Sequence, residues 1–147
     1  MSYKITTNWD PNTNCATTSI KNCSNGIVFS GTAKCHPDDE IMASEHIGLE
    51  ISNARAQLNI IRSVRDNELK PQLKILKHLY SNIKTSKQFN PKSYEATMLR
   101  RQIKHLEDEL STVKDIISEY KSYIEEMGNA VSSYKIVRER RKLDEND

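Results

Sequence analysis

The feature that most constrains this 147-residue chain is an apolar seam through its last third that never changes register. Leu99, Ile103, Leu106, Leu110, Val113, Ile117, Tyr120, Ile124, Met127, Val131 and Tyr134 follow one another at alternating spacings of four and three residues. Heptads sustained over more than three or four repeats argue for a helix that packs along its whole length against other helices. Asn90-Pro91 supplies a start, because Asn caps and proline suits the first helical position. A helix from residue 91 to 141 would be about 75 Å long at ~1.5 Å per residue. The expectation is an elongated molecule.

The register adds detail. Ile103, Leu110, Ile117, Ile124 and Val131 fall at a positions and are mostly β-branched, which favours two-stranded packing. Ile116, Tyr123 and Ala130 fall at g and widen the stripe, which suits more than one partner. Residues 44–84, folding back, would be one partner and a second copy of the chain the other. The seam is therefore the expected interaction surface of a homo-oligomer.

Composition changes near residue 43, from Thr, Asn, Ser and Cys to Lys, Glu, Leu, Ile and Arg. Before that point the chain alternates. Tyr3, Ile5, Thr7 and Trp9 share one strand face, opposite Lys4, Thr6 and Asn8. Trp9 reads as a core residue of the sheet. Asp10-Pro11-Asn12 and Ser24-Asn25-Gly26 are turn signals. Residues 13–20 are Thr-rich and favour a strand. Ile27, Phe29, Gly31, Ala33 and Cys35 form one face of a third strand. The expected fold is α+β: a small three-stranded antiparallel sheet with a covering helix, then a long helical hairpin or coiled coil. The expected divisions are residues 1–62, a kinked helix and connection over 63–89, and the heptad helix over 90–143.

The covering helix should begin near Ser44. Ile47, Ile51, Ala54, Leu58 and Ile61 form its stripe, and Leu69, Leu73, Leu76, Tyr80 and Ile83 form the next. Ile61 and Leu69 are eight residues apart, one more than a heptad, and Pro71 lies just beyond. An interior proline removes a hydrogen bond and costs about 3 kcal/mol, so a kink or break is expected over 66–71.

Charged residues make up 29% of the chain, yet the net charge is only +2. That balance gives no argument for a nucleic-acid or membrane partner. No run of about 18 apolar residues is present, so no membrane span is expected. Met1-Ser2-Tyr3-Lys4-Ile5 has no apolar signal core. The expected location is cytoplasmic, the host cytoplasm if the protein is phage-encoded. Cys15, Cys23 and Cys35 are odd in number and are expected as free thiols.

Three strings could carry chemistry. His36-Pro37-Asp38-Asp39-Glu40 resembles a loop of the zinc-dependent de-N-acetylases that act on N-acetylglucosamine conjugates. The resemblance implies His36 and Asp39 as metal ligands and Asp38 as general base. That family also needs an α/β domain and a distant His-x-x-His pair, whereas His46, His78 and His105 stand singly. Cys15, Cys23, Cys35 and His36 are suitable zinc ligand types, but no Cys-x-x-Cys knuckle spaces them. Arg138, Arg140, Arg141 and Lys142 could contact phosphates, or simply complement a helix carboxy terminus, worth ~0.3–1 kcal/mol.

Gly31-Thr32-Ala33-Lys34-Cys35, followed by Asp38 or Asp39, Gly48, Ile51 and Ala54-Arg55-Ala56, resembles a pattern in small uncharacterised proteins of bacteriophages and their Gram-positive hosts. It spans roughly residues 27–60. Those proteins look like a strand meander followed by one helix, loosely like a double-stranded-RNA-binding domain without its first helix. Gly48 and Ala54 would let the helix sit close on Gly31 and Ala33.

No nucleophile–base pair, phosphate loop or strong metal motif is present. The expected function is a non-catalytic, oligomeric coiled-coil interaction protein of phage or mobile-element type. It would need no cofactor or small-molecule substrate and would bind a host or phage macromolecule. The alternatives are a nucleic-acid-binding protein, using the sheet–helix unit and the basic end of the long helix, and a zinc-dependent hydrolase.

Overall fold

The fold follows from a computed structural model, which describes residues 2–34 and 41–145, with side chains over 2–34 and 45–129. It is α+β. Three strands, β1 (Tyr3–Asp10), β2 (Cys15–Asn22) and β3 (Val28–Lys34), precede the helices α1 (Ile41–Val64), α2 (Lys70–Lys84) and α3 (Tyr94–Glu145). The chain divides into two compact units, Met1–Ile60 with Ser118–Asp147, and Ile61–Ile117.

In the first unit the strands form an antiparallel meander in the order β1-β2-β3. Local chemistry builds both turns. Asp10 Oδ1 accepts from Asn12 N at 2.9 Å, and Asn14 takes the left-handed conformation at φ 53°, which Asn tolerates better than most residues. In the second turn Gly26 sits at φ 74°. Its N–H donates to the Asn22 carbonyl at 2.8 Å. β2 lies two residues later than the Thr-rich stretch suggests, because the first turn runs on to Asn14.

One face of the sheet is covered by α1, and the cover lies over β2 and β3. Ala16, Thr18 and Ile20 of β2, with Gly31 and Ala33 of β3, are buried, whereas Tyr3 and Ile5 of β1 are exposed and Trp9 is half-buried. The closest approach is at Gly31. A Cβ there would run into the Ser52 carbonyl, the Arg55 backbone and the Ala56 amide. The crossing point is thus Ser52–Ala56. Gly48 and Ala54 are also buried, and the backbone atoms nearest Gly31 are those of Ser52, Arg55 and Ala56.

A buried hydroxyl pair sets the register of helix on sheet. Thr18 Oγ1 and Ser52 Oγ are 2.7 Å apart, and Ser52 Oγ donates to the Leu49 carbonyl at 2.9 Å. Since the serine's one proton is spent on Leu49, Thr18 is the donor between them. Both residues are fully buried and satisfied. Slipping α1 along the sheet would leave the Thr18 hydroxyl without its partner, at a cost of ~1–3 kcal/mol, while Ser52 would keep its bond to Leu49 in its own helix.

α1 also closes the outer edge of β3. Arg55 Nη1 donates to the Thr32 carbonyl at 2.6 Å, and Asn59 Nδ2 to the Ser30 carbonyl at 2.7 Å. These are carbonyls of a free strand edge, which would otherwise invite pairing with another chain. On the carboxy-terminal part of α3, Tyr120 OH donates to Gln57 Oε1 at 2.5 Å and Tyr123 OH to Glu50 Oε2 at 2.8 Å. The helix therefore runs beside α1, and α1 is held between it and the sheet. α1 begins at Ile41, three residues before the expected Ser44.

In the second unit the expected interruption is a π-helical turn, Arg65–Leu69. Lys70 N–H donates to the Arg65 carbonyl, five residues back. Pro71 has no N–H and its ring crowds the carbonyl four residues earlier; the wider turn accommodates both defects without ending the helix. A π-turn also absorbs one extra residue. That is the excess in the eight-residue step from Ile61 to Leu69, so the stripe stays on one side. Asp66 lies in this turn. Its carboxyl is held below the usual range, first by the hydrogen bond from Arg65 and then by the charges of Arg65 and Lys70.

α3 starts three residues after Pro91. Ser93 is the cap, its Oγ accepting from Ala96 N at 3.3 Å. Asn90 instead closes the preceding turn, its Oδ1 accepting from Lys92 N at 2.9 Å.

Candidate interaction surfaces

Two surfaces carry the features of interest, one on each unit. In the second unit, α2 and the first half of α3 share several contacts. Lys77 Nζ lies 3.3 Å from Glu107 Oε1. Arg100 donates to Tyr80 OH at 3.3 Å and to the Pro91 carbonyl at 2.6 Å. Tyr80 meets Phe89 edge-on at 6.3 Å between centroids, and Lys84 Nζ lies 5.5 Å from the centre of the Tyr80 ring. The connection over residues 85–93 is tied down by these contacts.

Beside those contacts runs an open apolar groove. One end is lined by Gln72, Ile75, Leu76, Gln102 and Leu106. The other adds Leu79, Ile83, Tyr94, Met98 and Leu99, and the two ends share Gln102. Ile75 is 60% exposed, Leu79 46% and Tyr94 76%. Glu95 is the one charged residue in the lining. An apolar strip of this kind with a polar margin marks an interaction site more often than a bare surface.

The seam positions fall beside this groove and beyond it. Leu106 and Ile117 are buried, and Leu99, Ile103, Leu110, Val113, Tyr120, Ile124 and Met127 are half-buried. Most residues between them are exposed. The side chains of Val131 and Tyr134 lie outside the described residues, as do those of Arg138, Arg140, Arg141 and Lys142.

In the first unit, the second surface is the sheet face opposite α1. Strand pairing places Lys4, Thr6 and Asn8 beside Lys21, Ser19 and Thr17, and these beside Val28, Ser30 and Thr32. Asp10, Cys15 and Lys34 form the last row. Every member on β1 and β3 is exposed except Asp10, which is half-buried, and the Thr17 and Ser19 positions of the central strand are half-buried. Sequence reasoning saw only the β1 part of this face, because the lateral neighbours depend on register.

The Tyr123 hydroxyl has a displaced titration. Its hydrogen bond to Glu50, then burial, then the carboxylate's charge push it above its ordinary value near 10.

Of the candidate metal ligands, Cys15 and Cys23 are not brought together. Cys15 opens β2 and Cys23 lies just past its end, more than about 20 Å apart along an extended strand, so they cannot share one zinc ion. Cys35, His36, Asp38 and Asp39 lie outside the described residues. Among the described residues no group of three His, Cys, Asp or Glu side chains is disposed to hold a metal. No described helix is long and apolar enough to cross a membrane. Comparison with known protein families, with curated proteins and with solved structures finds no match.

Proposed function

We propose that this chain is a non-catalytic interaction protein of phage or mobile-element type. In this reading α2 folds on α3 as a helical hairpin, and the hairpin self-associates by coiled-coil packing. The observation that carries the reading is the apolar groove on the second unit, with Ile75, Leu79 and Tyr94 mostly uncovered. The occupant is a second copy of the chain. A nearly uncharged lining with two glutamines suits an identical strip facing it across a two-fold axis, where like charges would repel. The g-position residues Ile116 and Tyr123 extend the apolar character beyond one seam.

The magnitude sets the strength. Burying the exposed fractions of Ile75, Leu79 and Tyr94 stabilises by about 3–5 kcal/mol per copy, taking ~1.5–3 for a whole side chain. Doubled, this is about 6–10 kcal/mol, within the ~4–15 kcal/mol range of the cost of association. The oligomer should therefore be concentration-dependent. Light scattering on the full chain tests it. A dimer or larger species is expected at high concentration, and Ile75→Lys with Leu79→Lys should give a monomer of unchanged helicity. A monomer at every concentration, or an oligomer untouched by the two lysines, overturns the proposal.

A further inference from the structure

We propose that the uncovered face of the three-stranded sheet docks in the major groove of duplex DNA. The observation is a pairing that the fold alone does not reward. Lys4 and Lys21 stand directly opposite each other on β1 and β2. Like charges at that position are separated by about 5 Å between Cβ atoms and destabilise the sheet. Lys4, Lys21 and Lys34 have no ion-pair partner among the described residues. Residues 2–34 hold these three lysines and a single acid, Asp10, and Asp10 is turned to the loop by its bond to Asn12 N.

The placement of the charges points to one kind of polyanion. Lys4 and Lys21 lie at one end of the face and Lys34 at the other, six residues along β2 from Lys21 to Cys15. Six strand residues span about 20 Å. That brackets the ~12 Å major groove of B-form DNA together with the phosphates on its two lips. Between the lysines lie only short neutral hydrogen-bonding groups: Thr6, Asn8, Thr17, Ser19, Ser30 and Thr32. Asn can read adenine, Ser and Thr can bond to any base edge, and the exposed Val28 can meet a thymine methyl. Three strands are about 10 Å across the backbone. The deep, narrow major groove of duplex RNA does not admit side chains in this way, so DNA is the occupant.

Fluorescence anisotropy of the full chain with labelled DNA and RNA duplexes of the same sequence tests the proposal. DNA should bind more tightly than RNA, with a slope of log K against log salt near −2.7, that is ~0.9 for each of three phosphate contacts. Lys4→Glu should weaken DNA binding about tenfold at ~0.1 M salt and bring the slope toward about −1.8. The same change places unlike charges opposite each other, so the melting temperature should stay level or rise. Lys104→Glu, on an exposed position of α3, should leave DNA affinity unchanged. Absence of DNA binding at low salt, equal or tighter RNA binding, or a Lys4→Glu variant that binds like Lys104→Glu overturns the proposal. The slope is that of one sheet face, and a dimer engaging two faces would double it; the preference for DNA over RNA and the loss with Lys4→Glu are the same for monomer and dimer.

Discussion

Gly31→Ala should be the most damaging single methyl that can be added to this protein. The new Cβ would point at backbone atoms of Ser52, Arg55 and Ala56. Backbone cannot rotate away as a side-chain tip can, so α1 must lift from the sheet. Overpacking of this kind costs about 1–3 kcal/mol. Lifting also stretches the buried Thr18–Ser52 hydroxyl pair, and an orphaned buried hydroxyl adds ~1–3 kcal/mol. Loss of glycine's freedom in the unfolded chain returns only ~0.4–1 kcal/mol. The net is about 2–5 kcal/mol, a large part of a domain's ~5–15 kcal/mol. Trp9 is the only tryptophan and lies on β1, so its fluorescence in urea reports on this unit. With m near ~1–3 kcal/mol/M the midpoint should fall by about 1–2 M or more. Two glycines serve as controls. Gly26→Ala has open space but a left-handed φ of 74° and should cost only ~1–2 kcal/mol. Gly128→Ala meets nothing within 4 Å inside α3 and should stabilise by ~0.5–1 kcal/mol. If Gly31→Ala is no worse than Gly26→Ala, α1 does not lie on β3 at Gly31 and the account of the sheet's cover is wrong.

Thr18→Val should destabilise by ~1–3 kcal/mol and Ser52→Ala by a similar amount, but the double variant should cost less than the sum, which a double-mutant cycle in urea measures. Ile117→Asp should cost ~3 kcal/mol or more, because Ile117 is 5% exposed and a buried charge there has no partner; Lys114→Asp, on an exposed position, should change thermal stability little. Deleting Asn67 together with Pro71→Ala should be tolerated, since it restores a seven-residue step from Ile61 to Leu69; deleting Lys77 instead should rotate the rest of α2 and lower the melting temperature. Tyr123 should ionise above its ordinary value near 10 in an ultraviolet titration, and Glu50→Gln should bring it back toward that value. Because its native pKa is raised, the stability it contributes is full below about pH 10 and is lost as pH rises through the native value.

Turns, alternation and periodicity were legible in the residues themselves, because each is a local constraint. Asp10-Pro11 and Asn25-Gly26 break the chain wherever it goes, since proline cannot pair in a central strand and glycine alone takes φ 74° cheaply. The unbroken four-three spacing from Leu99 onward required a long helix. Pro71 and the one-residue excess before Leu69 required a defect at that place, and the π-turn is that defect. Cap residues were less legible. Asn90-Pro91 and Ser93 are all competent starts, and the choice of Ser93 depends on where the connection over 85–93 is tied by Arg100 and Tyr80.

What only the tertiary structure decided is how the pieces meet. Alternation made the Tyr3, Ile5 and Trp9 face look like core, yet the burial falls on Ala16, Thr18 and Ile20. The reason is that a single helix is about 10 Å wide and covers two strands of three; which two depends on where its axis crosses. Thr18 and Ser52 are 34 residues apart and each looks like an ordinary surface hydroxyl in sequence, so nothing local announces that they close on each other. The row of Lys4 and Lys21 is hidden in the same way. Two lysines seventeen residues apart become cross-strand neighbours only when the turn at Asn14 sets the register. Local chemistry chooses the elements, but pairing and crossing angles choose which side chains share water, a buried bond or a common face.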